Sequence, residues 1–167
     1  MKAIGRRLRA ALVTWPDARG WQAVARELLW GLPLIALLAF VAGLVHFDPM
    51  PLGARWLGFF FGLMLVPAFG EELVFRALLV PRPGEPFPAW HAALVVAAFV
   101  AWHPFQALTF GPRWSAGFLD PDFLAIVAVL GTLCVRLYRA TGSVWPCVLV
   151  HWSVVAAWKL LFAGPIG

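Results

Sequence analysis

The sequence predicts an all-α fold: a polytopic membrane bundle of about five transmembrane helices preceded by a basic amphipathic segment. Three observations carry that expectation. The 167 residues are 62% hydrophobic and only 13% charged, whereas soluble domains run about 45–50% apolar and about 25% charged. A series of apolar runs, most of them long enough to cross a hydrocarbon core of about 30 Å, is separated by short connections rich in Gly and Pro. Ten Trp and fourteen Phe are the side chains that settle at membrane interfaces and pack between spans. No soluble domain, low-complexity tract or repeat is visible, so the chain divides into a cytoplasmic basic amphipathic segment, 1–27, and a transmembrane helical domain, 28–167.

Residues 1–27 carry Lys2, Arg6, Arg7, Arg9, Arg19 and Arg26 beside Trp15 and Trp21. The spacing of Leu8, Leu12, Val13 and Trp15 suits a helix lying on an anionic membrane surface. No small-residue cleavage site follows and more spans do, so this stretch is expected to be structure rather than a signal peptide. The first span is expected over 28–47, with Gly31, Pro33 and Gly43 as interruptions that neighbouring helices tolerate. The second is expected over 56–80, stopped by Pro81, Pro83, Pro86 and Pro88, none of which can continue a helix. The third, 89–110, holds His103, and 111–122 reads as an exposed polar loop. The fourth is short, 123–137; the fifth, 144–162, has Pro146 in its first turn and contains His151. Cys134 and Cys147 both fall inside spans and, without a Cys-x-x-Cys, read as apolar fillers.

Charge then orients the bundle. The six basic residues of 1–27 with Arg76, Arg82, Arg136 and Arg139 stand at one end, against Arg55, Arg113 and Lys159 at the other. The positive-inside rule puts the richer end, and the N-terminus, in the cytoplasm. The net charge of +5 is therefore assigned to lipid head groups, and no nucleic-acid partner is expected.

Within the second span lies Gly70-Glu71-Glu72-Leu73-Val74-Phe75-Arg76. A charged side chain at mid-bilayer costs at least about 2.5 kcal/mol, so ionisable groups there are functional candidates by default. On a helix Glu72 and Arg76 are i,i+4 neighbours and can pair, while Glu71 lies about 100° round the axis and keeps its carboxylate. A structural ion pair that merely holds helices in register is the alternative for this motif alone. At about 1.5 Å per residue, Glu71 and His151 lie about 10–14 Å from the cytoplasmic ends of their spans and share a level. His103 counts nearer to about 20 Å, which requires its span to tilt, start later or bend at Pro104. Glu71 facing His103 and His151 can act as general base toward water with histidine support, or as a three-ligand metal site with zinc as the candidate cofactor. Both remain open from the residues. His46 and His91 are expected at the membrane interface.

Glu71-Glu72-x-x-x-Arg76, then Phe99-x-x-x-His103, then Thr141-Gly142-Ser143-Val144-Trp145 leading to His151-Trp152 resembles, over about residues 56–160, the CPBP family of intramembrane proteases. That family includes the type II CAAX prenyl endopeptidases and bacteriocin-processing or immunity proteins. The resemblance implies a protease-like membrane domain that hydrolyses a hydrophobic or membrane-tethered peptide, lipidated or not, with membrane lipid as its other partner. It makes Glu71 the water-activating base, Glu72 and Arg76 its structural partners, His103 the second catalytic residue and His151 a donor to the oxyanion. It makes Phe75, Phe99, Trp152 and Val155 the expected substrate-contacting side chains. Zinc-dependent and metal-independent glutamate-type mechanisms have both been described for the family, so the metal question stays open. The chain departs from the family pattern at Val155, where Asn is common four residues after the last histidine. Loss of one oxyanion donor costs about 10²–10³ in rate, and this motivates a second reading: a non-catalytic binding, immunity or scaffold member. A proton-coupled carrier using Glu and His as a relay is a third, disfavoured by the lack of an inverted repeat.

Overall fold

Asp17 starts the first long helix, its carboxylate accepting from the Gly20 amide at 2.8 Å, and so satisfies a donor that every helix N-terminus leaves open. In the computed structural model, which describes residues 2–164, the helices are α1 (Lys2–Val13), α2 (Ala18–Val41), α3 (Ala54–Leu78), α4 (Ala89–Thr109), α5 (Pro121–Thr141) and α6 (Trp145–Leu161). α2 to α5 are each long and apolar enough to cross a membrane, and α6 is an apolar helix of 17 residues. The protein is an all-α integral membrane bundle, as expected.

Two boundaries differ from the hydropathy reading for a local reason. α2 begins at Ala18 and ends at Val41, not over 28–47, because the Asp17 cap opens it early and Gly43, at φ 70°, turns the chain after it. α5 runs longer than 123–137. Asp120 caps its start by accepting from the amides of Asp122 and Phe123, Pro121 occupies its first turn, and Gly142 at φ 66° ends it in the left-handed conformation that glycine adopts without penalty.

α5 is the centre of the bundle, with Leu133, Cys134, Leu137 and Tyr138 fully buried. α2 packs closely against it at Gly31, where a Cβ would stand 2.7 Å from the Leu133 side chain. α1 is docked on the bundle rather than only resting on a membrane surface. Ala11 is fully buried, its carbonyl accepts from the Val144 amide, Trp145 Nε1 donates to Leu12 O at 2.9 Å and Arg7 donates to Val80 O at 2.9 Å. Ile4, Val13 and Trp15 stay exposed on its outer side. Arg139 donates to the carbonyls of Pro81, Arg82 and Glu85, and Arg82 to Thr14 Oγ1. These bonds tie α1, the 81–88 connection and the end of α5 together.

At the other end the connection 111–122 is not simply an exposed loop. Arg113–Leu119 forms a 3₁₀ turn with Ser115 buried, and Phe118 stacks on Phe123 with ring centroids 5.0 Å apart. The turn after α2 is tied to the end of α6 by Asp48 N to Leu161 O at 3.0 Å and Met50 N to Leu160 O at 2.8 Å.

α3 is not straight. Val66 takes extended angles, φ −137° and ψ 116°, the conformation a following proline enforces, and Pro67 follows. Widened turns occupy Met64–Phe69 and Leu73–Leu78, so Gly70-Glu71-Glu72 is a short α segment between two departures from regular pitch, a pattern frequent at functional sites.

Candidate active site

The two adjacent carboxylates are held differently. Glu72 is fully buried; its Oε2 lies 3.0 Å from Arg76 Nε and its Oε1 lies 2.8 Å from His151 Nδ1. The Arg76 contact is an ion pair by distance without hydrogen-bond alignment, since Glu72 Oε2 and Arg76 Nε have no hydrogen-bond partner among the described residues. Arg76 is stabilised instead by the Phe99 ring, whose centroid is 4.3 Å from the guanidinium carbon, and by Gly131 O at 3.5 Å from Nη2. A buried cation over an aromatic face gains more than an exposed one. Gly131 makes the arrangement fit: a Cβ there would stand 2.9 Å from Phe99 Cδ1.

Glu71 shares none of these direct bonds. Its Oε1 accepts from Trp102 Nε1 at 3.0 Å. Its Oε2 is buried with no hydrogen-bond partner among the described residues and stands 3.9 Å from His151 Nε2. That gap is too long for a hydrogen bond and is one that a bridging water can span. The carboxylate of Glu72 accepts, so His151 Nδ1 carries the proton and Nε2 faces Glu71. A carbonyl likewise only accepts, so His103 Nδ1, 3.0 Å from Phe99 O, carries its proton and leaves Nε2 open. α4 runs unbroken from Ala89 to Thr109 through Pro104, which removes a late start as the account of His103's depth.

Glu71, His103 and His151 line one cavity of about 630 Å³ with mostly apolar walls. Its walls come from the second halves of α2 and α4, the first half of α5, residues 59–71 of α3, residues 151–159 of α6 and the Arg113–Leu119 turn.

Of the expected substrate-contacting residues, Val155 lines the cavity. Phe75 and Phe99 pack instead beneath the ion pair, with centroids 5.2 Å apart. Phe99 also meets the His103 ring at 5.2 Å and the His151 ring at 5.9 Å, and is the apolar floor of the cluster. Trp152 is held elsewhere, donating Nε1 to Phe60 O at 2.7 Å. Among the described residues no three His, Cys, Asp or Glu side chains gather closely enough to hold a metal ion. Glu71, His103 and His151 therefore do not fit the zinc set considered from the sequence.

The sequence reading missed Trp102, Gln106 and Lys159. Trp102 had a signal: an indole N–H inside a span must find an acceptor, and Glu71 is one. Gln106 and Lys159 line the cavity, and Lys159 Nζ lies 3.8 Å from the Trp114 ring centroid.

No curated protein and no solved structure matches the chain. A family model does: that of the type II CAAX prenyl endopeptidases of Rce1-like type matches residues 53–157, well over half of the chain, and takes in Glu71, His103 and His151. The chain therefore belongs to the Rce1-like type II CAAX prenyl endopeptidase family, a family of membrane-embedded proteases.

Proposed function

We propose that the protein is an intramembrane endopeptidase that hydrolyses a hydrophobic or membrane-tethered peptide, with Glu71 activating the attacking water. The observation that carries this reading is the buried Glu71 Oε2, which has no hydrogen-bond partner among the described residues, in a cavity shared with His103 and His151. Water held by Glu71 and by the open Nε2 of His103 attacks the peptide carbonyl and passes a proton to Glu71. The carbonyl oxygen becomes the oxyanion, to which His151 donates when its Nε2 carries a proton. Collapse of the intermediate breaks the C–N bond, and the proton on Glu71 goes to the leaving amine. Trp102 fixes the carboxylate's orientation throughout, and Glu72 fixes the His151 ring. These steps pass through side chains and water.

The apolar walls favour a hydrophobic substrate. The basic end with α1 faces the cytoplasm of a prokaryotic plasma membrane in this reading. Val155 on the cavity wall supports the second reading, a member that binds a peptide or partner without cleaving it.

The test is cleavage of quenched-fluorescent hydrophobic peptides by purified protein in nanodiscs, with and without chelator. Turnover that collapses in Glu71→Gln supports the protease. Peptide binding by the parent without turnover supports the binding member.

A further inference from the structure

We propose that Gln106 supplies the amide that steadies the oxyanion in this cavity, the function that Val155 cannot perform; the inference rests on the endopeptidase reading above. Attack on a peptide carbonyl places negative charge on oxygen, and neutral donors aimed at that oxygen are worth about 10²–10³ in rate each. Val155 offers only methyl groups to the cavity wall. Three other neutral donors that line the cavity are committed. Ser115 Oγ donates to Pro112 O at 2.6 Å, Ser153 Oγ to Leu149 O at 2.7 Å, and His103 Nδ1 is held by Phe99 O. Lys159 stands eight residues beyond His151, about 12 Å along α6, too far for a carbonyl at Glu71.

Gln106 meets the requirement. It is half-buried, lines the cavity, and its carboxamide makes no hydrogen bond to any described residue. Three residues after His103 on α4, it stacks on the same face about 4.5 Å further along the axis. Val155 stands four residues after His151, about 6 Å along α6. His103 and His151 both meet the Phe99 ring, at 5.2 and 5.9 Å, and Gln106 and Val155 line the same cavity from the two helices. Helical side chains lean toward their own N-terminus, which at Gln106 is back toward His103. An amide presented from α4 thus faces the same cavity that an amide at position 155 of α6 would face.

The experiment uses the full chain in nanodiscs and the peptide that the parent cleaves. Gln106→Met keeps length and volume and removes both donors; kcat should fall about 10²–10³-fold with KM little changed, and melting should match the parent. Gln106→Glu keeps an acceptor and should fail equally. Gln106→Met combined with Val155→Asn should recover kcat to within about tenfold of the parent, as replacing one such donor with another requires. If Glu71→Gln is inactive while Gln106→Met turns over at the parent rate, the assignment of Gln106 is overturned and the endopeptidase reading stands. Loss in Gln106→Met that Val155→Asn does not restore also overturns the amide role. A parent without turnover overturns the endopeptidase reading and this one with it.

Discussion

His151 Nδ1 lies 2.8 Å from Glu72 Oε1, so the carboxylate that neutralises Arg76 also sets the imidazole of a helix 79 residues away in sequence. One side chain serves packing and site geometry together. Removing one partner of a buried pair leaves the other charge uncompensated, at about 3–5 kcal/mol. Arg76→Ala is therefore expected to lower melting in detergent sharply, and Glu72→Gln to do the same. Arg76→Met combined with Glu72→Gln should be less damaging than either alone. A double variant as unstable as the sum of the singles would show that the two residues do not stabilise each other.

Glu71 is expected to behave in the opposite way. Its bonds are to Trp102 alone at hydrogen-bond range, so Glu71→Gln should leave melting near the parent value while turnover vanishes. Trp102→Phe removes one hydrogen bond to a charged acceptor, worth about 1.5–3 kcal/mol, and should reduce kcat about 10–100-fold. A kcat unchanged in Trp102→Phe would mean that the indole does not position the carboxylate.

Gly131→Ala would push a methyl group to 2.9 Å from Phe99 Cδ1. Overpacking of this kind costs about 1–3 kcal/mol. Because Phe99 floors both histidines, activity should fall further than stability alone explains. A Phe99→Leu change in the same chain should relieve part of the melting defect by freeing the crowded space. Melting of Gly131→Ala equal to the parent would show that Phe99 can retreat.

Topology follows from the charge asymmetry. A reporter fused after residue 164 should report the non-cytoplasmic face, and one fused before α1 the cytoplasmic face. Cytoplasmic signal from the C-terminal fusion would overturn this assignment of the two ends.

The all-α membrane architecture was legible because hydrocarbon leaves the backbone few solutions, and Glu71, Glu72, Arg76, His103 and His151 stood out because charge there is expensive. Hydropathy missed the start of α2, although Asp17 was a readable cap. Gly and Pro around 111–122 signalled a loop and hid the packing of Trp114 and Phe118, which are half-buried in it. Charge counting could not show that Arg7 and Arg139 donate to the carbonyls of Val80 and Pro81. The different bonding of adjacent Glu71 and Glu72 depends on where Trp102 and His151 arrive from other helices, and no local pattern encodes that.

The Glu72–Arg76 pair lies within a single helix, and this bears on how the chain is made. As α3 leaves the ribosome, its acid and base can neutralise each other before any later helix exists, lowering the penalty of admitting them to the lipid. Glu71 must wait for Trp102, 31 residues on, and Glu72 for His151, 79 residues on. Insertion can thus proceed helix by helix, while the reactive constellation is assembled last, when α6 enters the membrane.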